Sequence, residues 1–131
     1  MGQPAAKEGD KIMGTDTHIV MIPAGPALVP TPLPHPFMGE IDGELSADVM
    51  IEGKAAATVD STATNNPAHI PQGGNFQSPP SDKGTITMGS SSVCINGKEA
   101  ARNGDMAETC NDPSDMPVGS VMATGTVMIG G

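Results

Sequence analysis

Three histidines and two cysteines are the residues of this chain best suited to site chemistry: His18, His35, His69, Cys94 and Cys110. Three of them are phased to one repeated phrase. The phrase reads Ala5-Ala6-Lys7-Glu8-Gly9-Asp10, then Ala55-Ala56-Ala57-Thr58-Val59-Asp60, then Ala100-Ala101-Arg102-Asn103-Gly104-Asp105. His18 lies eight residues after Asp10, His69 nine after Asp60, and Cys110 five after Asp105. If the copies stand about a pseudo-threefold axis, these side chains converge on it, and His35 supplies a fourth donor. Three imidazoles and one thiolate make a closed tetrahedral set suited to structural zinc, with iron as the alternative ion. Taken singly, a histidine is ordinarily a surface or core residue and a cysteine a small buried hydrophobe. The phasing sets these residues apart.

Cys94 has a different setting. A second phrase recurs as Val49-Met50-Ile51-Glu52-Gly53-Lys54, Val93-Cys94-Ile95-Asn96-Gly97-Lys98 and Val127-Met128-Ile129-Gly130-Gly131. Cys94 stands where Met50 and Met128 stand, so it reads as a packing residue. The competing use, a Cys94–Cys110 disulfide, would consume the thiolate a metal needs. Other chemistry finds no support. No Ser-His-Asp order accompanies a nucleophile elbow. Gln72-Gly73-Gly74 lacks the Lys-Ser/Thr of a phosphate loop. The acidic residues are scattered, Asp10, Asp60 and Asp105 read as turn residues, and the ten methionines read as flexible core filler.

The elements that must position the donors are short strands. Each Val-x-Ile strand runs into a Gly-containing turn, and Asn96-Gly97 is a strong tight-turn pair. Feeder strands precede the copies: Met38 to Glu44, Gly84 to Ser90 and Gly119 to Gly125. Each feeder is expected to form a hairpin with the Val-x-Ile strand that follows it. Two excursions, Ile19 to Pro36 and Ser61 to Asp82, are expected to be ordered, semi-extended loops rich in Pro or Gly. No segment carries a capped helical period; Ala47 to Ala57 makes one turn at most. Units repeating at this spacing stack or arrange radially, since none buries its face alone.

Composition narrows the functions. The 131 residues make one domain, with no Trp or Tyr and two Phe. An aromatic-poor chain builds a thin core, which a metal can staple. The net charge of −9, with six Lys and Arg, argues against nucleic acid and anionic membrane surfaces as partners. The N-terminus has no signal-peptide pattern, so the chain is expected to be made in the cytoplasm and to leave the cell, if it does, by another route.

These phrases resemble the PAAR-repeat (Pro-Ala-Ala-Arg) proteins. Pro4-Ala5-Ala6 carries Lys7 in place of Arg, and Ala100-Ala101-Arg102 carries Glu99 in place of Pro. The resemblance implies an all-β fold, a small cone of short β-hairpins in pseudo-threefold arrangement with Pro/Gly-rich loops. A zinc ion would staple its apex, with ligands at His18, His35, His69 and Cys110. It implies docking of the cone base on a trimeric, VgrG-like β-helical spike, one chain per trimer, in type VI secretion or a related contractile injection system. The apex would pierce a target membrane transiently by mechanical force, and effector cargo is a further partner. The chain is expected to sit at the tip of the apparatus and to be delivered out of the cell or into the target. The third copy reaches Gly131, so residues 1–131 are expected to be a single domain with no appended effector. The expectation is a structural protein, not an enzyme. Two other readings compete: a small zinc-dependent hydrolase, which needs an open metal position and a base, and a secreted, disulfide-linked adhesion module.

Overall fold

A computed structural model describes residues 2–130 of the chain. Among them there is no helix. The strands are, in order, β1 (Gln3–Pro4), β2 (Lys11–Ala24), β3 (Ala27–Gly43), β4 (Met50–Ile51), β5 (Lys54–Ala55), β6 (Thr62–Asn65) and β7 (Asn75–Phe76). They continue as β8 (Lys83–Ile86), β9 (Cys94–Ile95), β10 (Lys98–Glu99), β11 (Met106–Thr109), β12 (Met116–Met122) and β13 (Met128–Ile129).

Six of these close into a ring. The order is β2–β3–β6–β8–β11–β12, and β12 pairs back onto β2, with every pairing antiparallel. Closure leaves the ring no unpaired edge. Strand alternation sends one set of side chains inward: Ile12, Phe37, Ile41, Ala63, Ile86, Ala107 and Val121 are all fully buried. Phe37 fits this narrow interior because its neighbours are glycines. A Cβ on Gly39 or Gly84 would lie 2.7 or 3.2 Å from the Phe37 ring.

The threefold repetition is visible in the backbone. Ala6 N–H donates to Ala101 O at 3.0 Å, Ala101 N–H to Ala57 O at 3.1 Å, and Ala57 N–H to Ala6 O at 3.0 Å. This cycle of three bonds marks the axis. All three alanines are fully buried, and the small side chain is what lets three backbones meet. A second layer lies beside the cycle, formed by Ala5, Ala56 and Ala100 with Ile51, Ile95 and Ile129. Three two-stranded ribbons supply it: β4–β5, β9–β10 and β13–β1. The third ribbon joins the two ends of the chain, so the pseudo-threefold closes through the termini. Gly131, the last residue of the third copy, lies outside the described residues.

The structure changes several expectations, among them the second excursion, Ser61 to Asp82, which contains the ring strand β6 and the short strand β7. The Val-x-Ile strands do not pair with their feeders; β4 and β9 pair with the strands after them. Glu52-Gly53 and Asn96-Gly97 all have positive φ (52°, 81°, 54° and 81°), the geometry of a two-residue hairpin turn. The feeders meanwhile spend their hydrogen bonds on ring neighbours.

The excursion from Ile19 to Pro36 is no loop. It is the far part of the long β2–β3 hairpin, in register from Lys11↔Glu40 to Ala24↔Ala27. Pro30, Pro32, Pro34 and Pro36 fall at alternate positions. Alternate residues of an antiparallel strand direct their backbone groups to the same side. The unbroken register with β2 means that side faces away from β2, where β6 reaches only Gly39–Gly43 of β3. The prolines therefore cost no ladder bonds.

The phrase in the second copy is shifted by one residue. Lys7 N–H donates to Asp10 Oδ2 at 3.0 Å and Arg102 N–H to Asp105 Oδ2 at 2.7 Å. The corresponding bond in the second copy runs from Thr58 N–H to Ser61 Oγ at 2.9 Å. Ser61, not Asp60, is thus the turn acceptor. Asp60 (φ 80°) takes the place of Gly9 (94°) and Gly104 (88°).

The methionines are not core filler. Met13, Met38, Met50, Met88, Met106, Met116, Met122 and Met128 are all exposed; all but Met88, which follows β8, occupy the outward positions of strands whose inward positions hold chiefly Ile, Val, Ala or Gly. Cys94 is exposed in the same way, beside Met50 and Met128 in the threefold pattern, and so is not buried packing.

Candidate metal centre

The long hairpin brings the first donors together. On β2 the inward positions run Ile12, Gly14, Asp16, His18, Val20, so Asp16 and His18 point into the ring from one strand. His35 lies on β3 directly across from Asp16. His69 comes from the turn after β6, and Cys110 follows β11 immediately. With the corrected register, His69 stands eight residues after Ser61, as His18 stands eight after Asp10. The phasing inferred from the repeats is therefore tighter than the sequence count indicates.

One donor atom from each of Asp16, His18, His69 and Cys110 lies within 4.8 Å of the other three. Cys110 Sγ is 3.6 Å from His18 Nε2 and 3.4 Å from Asp16 Oδ2. Asp16 Oδ2 is 2.8 Å from His69 Nε2 and 3.9 Å from His18 Nε2. The group is deeply buried, with Asp16 0 %, His18 1 % and Cys110 3 % exposed. His35 packs against it, its ring centroid 5.4 Å from both His18 and His69. Its Nδ1 lies 3.0 Å from Leu33 O. It is not one of the four residues whose donors converge.

An outer set of groups orients these side chains, as metal sites require. Asn65 Nδ2 lies 3.2 Å from His69 Nδ1, and Asn65 is itself fixed by accepting the Met38 N–H at 2.8 Å. Asp112 Oδ2 accepts the Ile19 N–H at 2.8 Å and stands 3.6 Å from His18 Nδ1. Thr109 Oγ1 donates to Asp16 Oδ1. Phe76 closes one side, its ring 5.8 Å from His18 and 5.4 Å from His35. The β7 pairing Val20↔Phe76 puts it there.

The electrostatics describe the metal-free pocket. Burial pushes the Cys110 thiol up to about 12, and the Asp16 carboxylate adds to the push. Burial lowers the His18 pKa, and its histidine neighbours reinforce this, against the pull of Asp112 and Asp16. The imidazole is thereby kept neutral, as a metal ligand must be. His18 Nδ1 is buried without a hydrogen bond. Two imidazoles, a thiol that a cation would deprotonate and a buried carboxylate together fit a divalent metal. These residues would hold it, and it would supply cross-links between β2, the segment after β6 and the segment after β11.

Sequence reasoning identified His18, His69 and Cys110 as convergent. It missed Asp16, Asn65, Thr109, Phe76 and Asp112. Asp16 was within reach, because a residue two before a ligand on a strand shares its face. The others depend on loop paths that no repeat encodes. Both cysteines are free, with Cys94 exposed and Cys110 buried, so the alternative disulfide does not form.

The family model described as PAAR motif matches residues 77–131, the stretch from the end of β7 through β13, including Ala100-Ala101-Arg102 and Cys110. No curated protein matches the chain.

Proposed function

We propose that this chain, a carrier of the PAAR motif and of the family resemblance that motif supports, caps the blunt end of a trimeric spike in a contractile injection machine. The motif speaks for a spike-tip-type protein in general; the capping role, the partner and the metal are our reading. The observation that carries it is the cyclic Ala6–Ala101–Ala57 bonding. One polypeptide offers three near-equivalent ribbons about one axis, and a trimer end needs just such a partner to cover three equivalent edges at once.

The contact face follows from exposure. Met50 (61 % exposed), Cys94 and Met128 (56 %) project from the three ribbons, flanked by Val93 and Val127. Exposed apolar residues clustered on one face point to an interaction surface. At the other end, a metal held by residues of the buried pocket would stiffen the narrow part of the cone for transient membrane penetration. Zinc suits the donor set best. Asp16, His18 and Cys110 are buried, which favours a structural over a hydrolytic metal.

Cys94 provides the test. In the free protein it should react rapidly with a maleimide, while Cys110 stays protected. With a trimeric spike protein bound, one chain per trimer, Cys94 should be shielded. Unchanged labelling in a mixture, together with no co-migration on gel filtration, would falsify the capping role. Delivery of this chain with the spike, and carriage of effectors, are further parts of the same proposal.

A further inference from the structure

We infer that the second copy of the repeat holds a docking site for an arginine side chain of a partner protein, in the cleft beside Thr58. The other two copies carry a cation of their own at the matching place. Lys7 follows Ala6, and its Nζ meets Asp10 Oδ2 at 3.2 Å and Thr124 O at 2.5 Å. Arg102 follows Ala101; its Nη2 meets Asp105 Oδ1 at 2.8 Å, and its Nη1 reaches Gly130 O at 3.3 Å. Thr58 follows Ala57, and Ser61 stands where the carboxylate stands in the other copies. The second copy therefore lacks both members of the ion pair.

The surrounding bonds locate what is left open. Beside Arg102, Ser90 Oγ donates to Gly130 O at 2.6 Å and accepts the Ser92 and Val93 N–H groups at 3.2 and 3.0 Å. In the second copy, Ser46 Oγ donates to Asn96 Oδ1 and accepts the Asp48 and Val49 N–H groups at 3.2 and 3.0 Å. Asn96 follows Ile95 as Gly130 follows Ile129. Ser46 and Asn96 are thus the counterparts of Ser90 and Gly130, and with Thr58 they line a cleft of about 320 Å³. It opens where the third copy holds the Arg102 guanidinium.

The lining suits the missing group. Glu44 and Asp48 bring two carboxylates, and the cation of the lining, Lys98, is already paired with Asp60 at 3.5 Å. A planar guanidinium offers five N–H donors to such acceptors, where an ammonium offers three. Leu45 and Ile95 add an apolar wall for the methylenes of the same side chain. The arginine must come from another protein, because Arg102 is the only one in this chain and is engaged by Asp105. A net charge of −9 adds long-range attraction for a basic partner.

N-acetyl-arginine methylamide is the probe, titrated into the isotope-labelled full chain and followed by amide NMR. It should cause saturable shifts centred on Ser46, Asp48, Thr58, Asn96 and Lys98, with half-saturation at about 1 mM, the scale of a fragment this small. The citrulline analogue keeps the shape without the charge and should bind at least about tenfold more weakly. Thr58→Arg combined with Ser61→Asp rebuilds the ion pair of the third copy, fills the cleft and should abolish probe binding. Glu44→Gln should weaken binding about fivefold, and it decides the matter should the double variant fail to fold. No saturable shifts at these amides, equal binding of the citrulline analogue, or wild-type affinity in either folded variant would overturn the site. None of these outcomes depends on whether the chain caps a trimeric spike.

Discussion

The two ends of the molecule are stabilised by different means. Around the Ala6, Ala57 and Ala101 cycle, three sectors repeat one another bond for bond. At the metal pocket the sectors contribute unequally: the hairpin gives Asp16, His18 and His35, the middle sector gives only His69, in phase with His18, and the last gives Cys110. Backbone hydrogen bonds between small residues suffice where the symmetry is kept. Where it is broken, individual side chains must replace what repetition supplies. The capping role we propose, with a threefold partner at one end and none at the other, would favour such a build.

The largest expected effect therefore belongs to the asymmetric end. Removing the metal with a strong chelator should lower stability by about 4 kcal/mol for an ion present at about a thousand times its Kd. That corresponds to a fall in Tm of about 10–20 °C. Cys110→Ser should melt as low as the chelated protein and gain nothing from added zinc. Differential scanning calorimetry with and without zinc reads both, and equal melting temperatures would break the contrast between the ends.

Changes at the symmetric end should cost less and be indifferent to metal. Ala57→Leu forces extra atoms into the point where three backbones meet, at a cost of about 1–3 kcal/mol. Urea denaturation should show the same loss in zinc-loaded and zinc-free protein. A loss that disappears when zinc is added would mean the ends are not independent.

Much of the symmetric end was legible in the sequence, and the reason is local. The Ala-Ala phrase, the Glu52-Gly53 and Asn96-Gly97 turns and the Val-x-Ile strands are each dictated by residues adjacent in the chain. The one-residue error in the second copy arose because Asp60 imitates Asp10 and Asp105 while Ser61 does their work. Pairing was less legible. Nothing adjacent to Gly84–Ile86 says that its partners are β6 and β11 rather than β9. At the metal end the donors phased to the repeat could be read, but their number could not. Asp16 gains its role from Thr109, Asn111 and Cys110, more than ninety residues away.

The three copies also differ in strength at one comparable bond. Asp105 accepts from Arg102 N–H at 2.7 Å and from Arg102 Nη2 at 2.8 Å. Ser61 has only its neutral hydroxyl at the matching place. Asp105→Ala should cost about 2–3 kcal/mol, since it strips a half-buried guanidinium of its charged partner. Ser61→Ala should cost about 1 kcal/mol. Chemical denaturation of the two variants side by side checks the order, and a larger loss at Ser61 would contradict it.

The gentlest probe is pH, applied to the metal-free protein. The folded His18 titrates below its ordinary 6.5, so the unfolded chain binds more protons there, and stability falls as pH drops through 6.5 and below. The Cys110 thiol titrates near 12 instead of 9. The folded chain holds the proton longer, so stability also falls as pH rises from about 9 towards 12. Melting temperature against pH should therefore show a plateau between these limits, and His18→Gln should flatten its acid edge.

The central claim is that a threefold base and a single metal-stapled apex coexist in one chain. Native mass spectrometry of the chain bound to a trimeric spike protein tests both halves in one spectrum. The account predicts one copy of this chain, three of the spike protein and one divalent ion that is lost on acidification. Three copies per trimer, or a one-to-three complex with no metal, would contradict it.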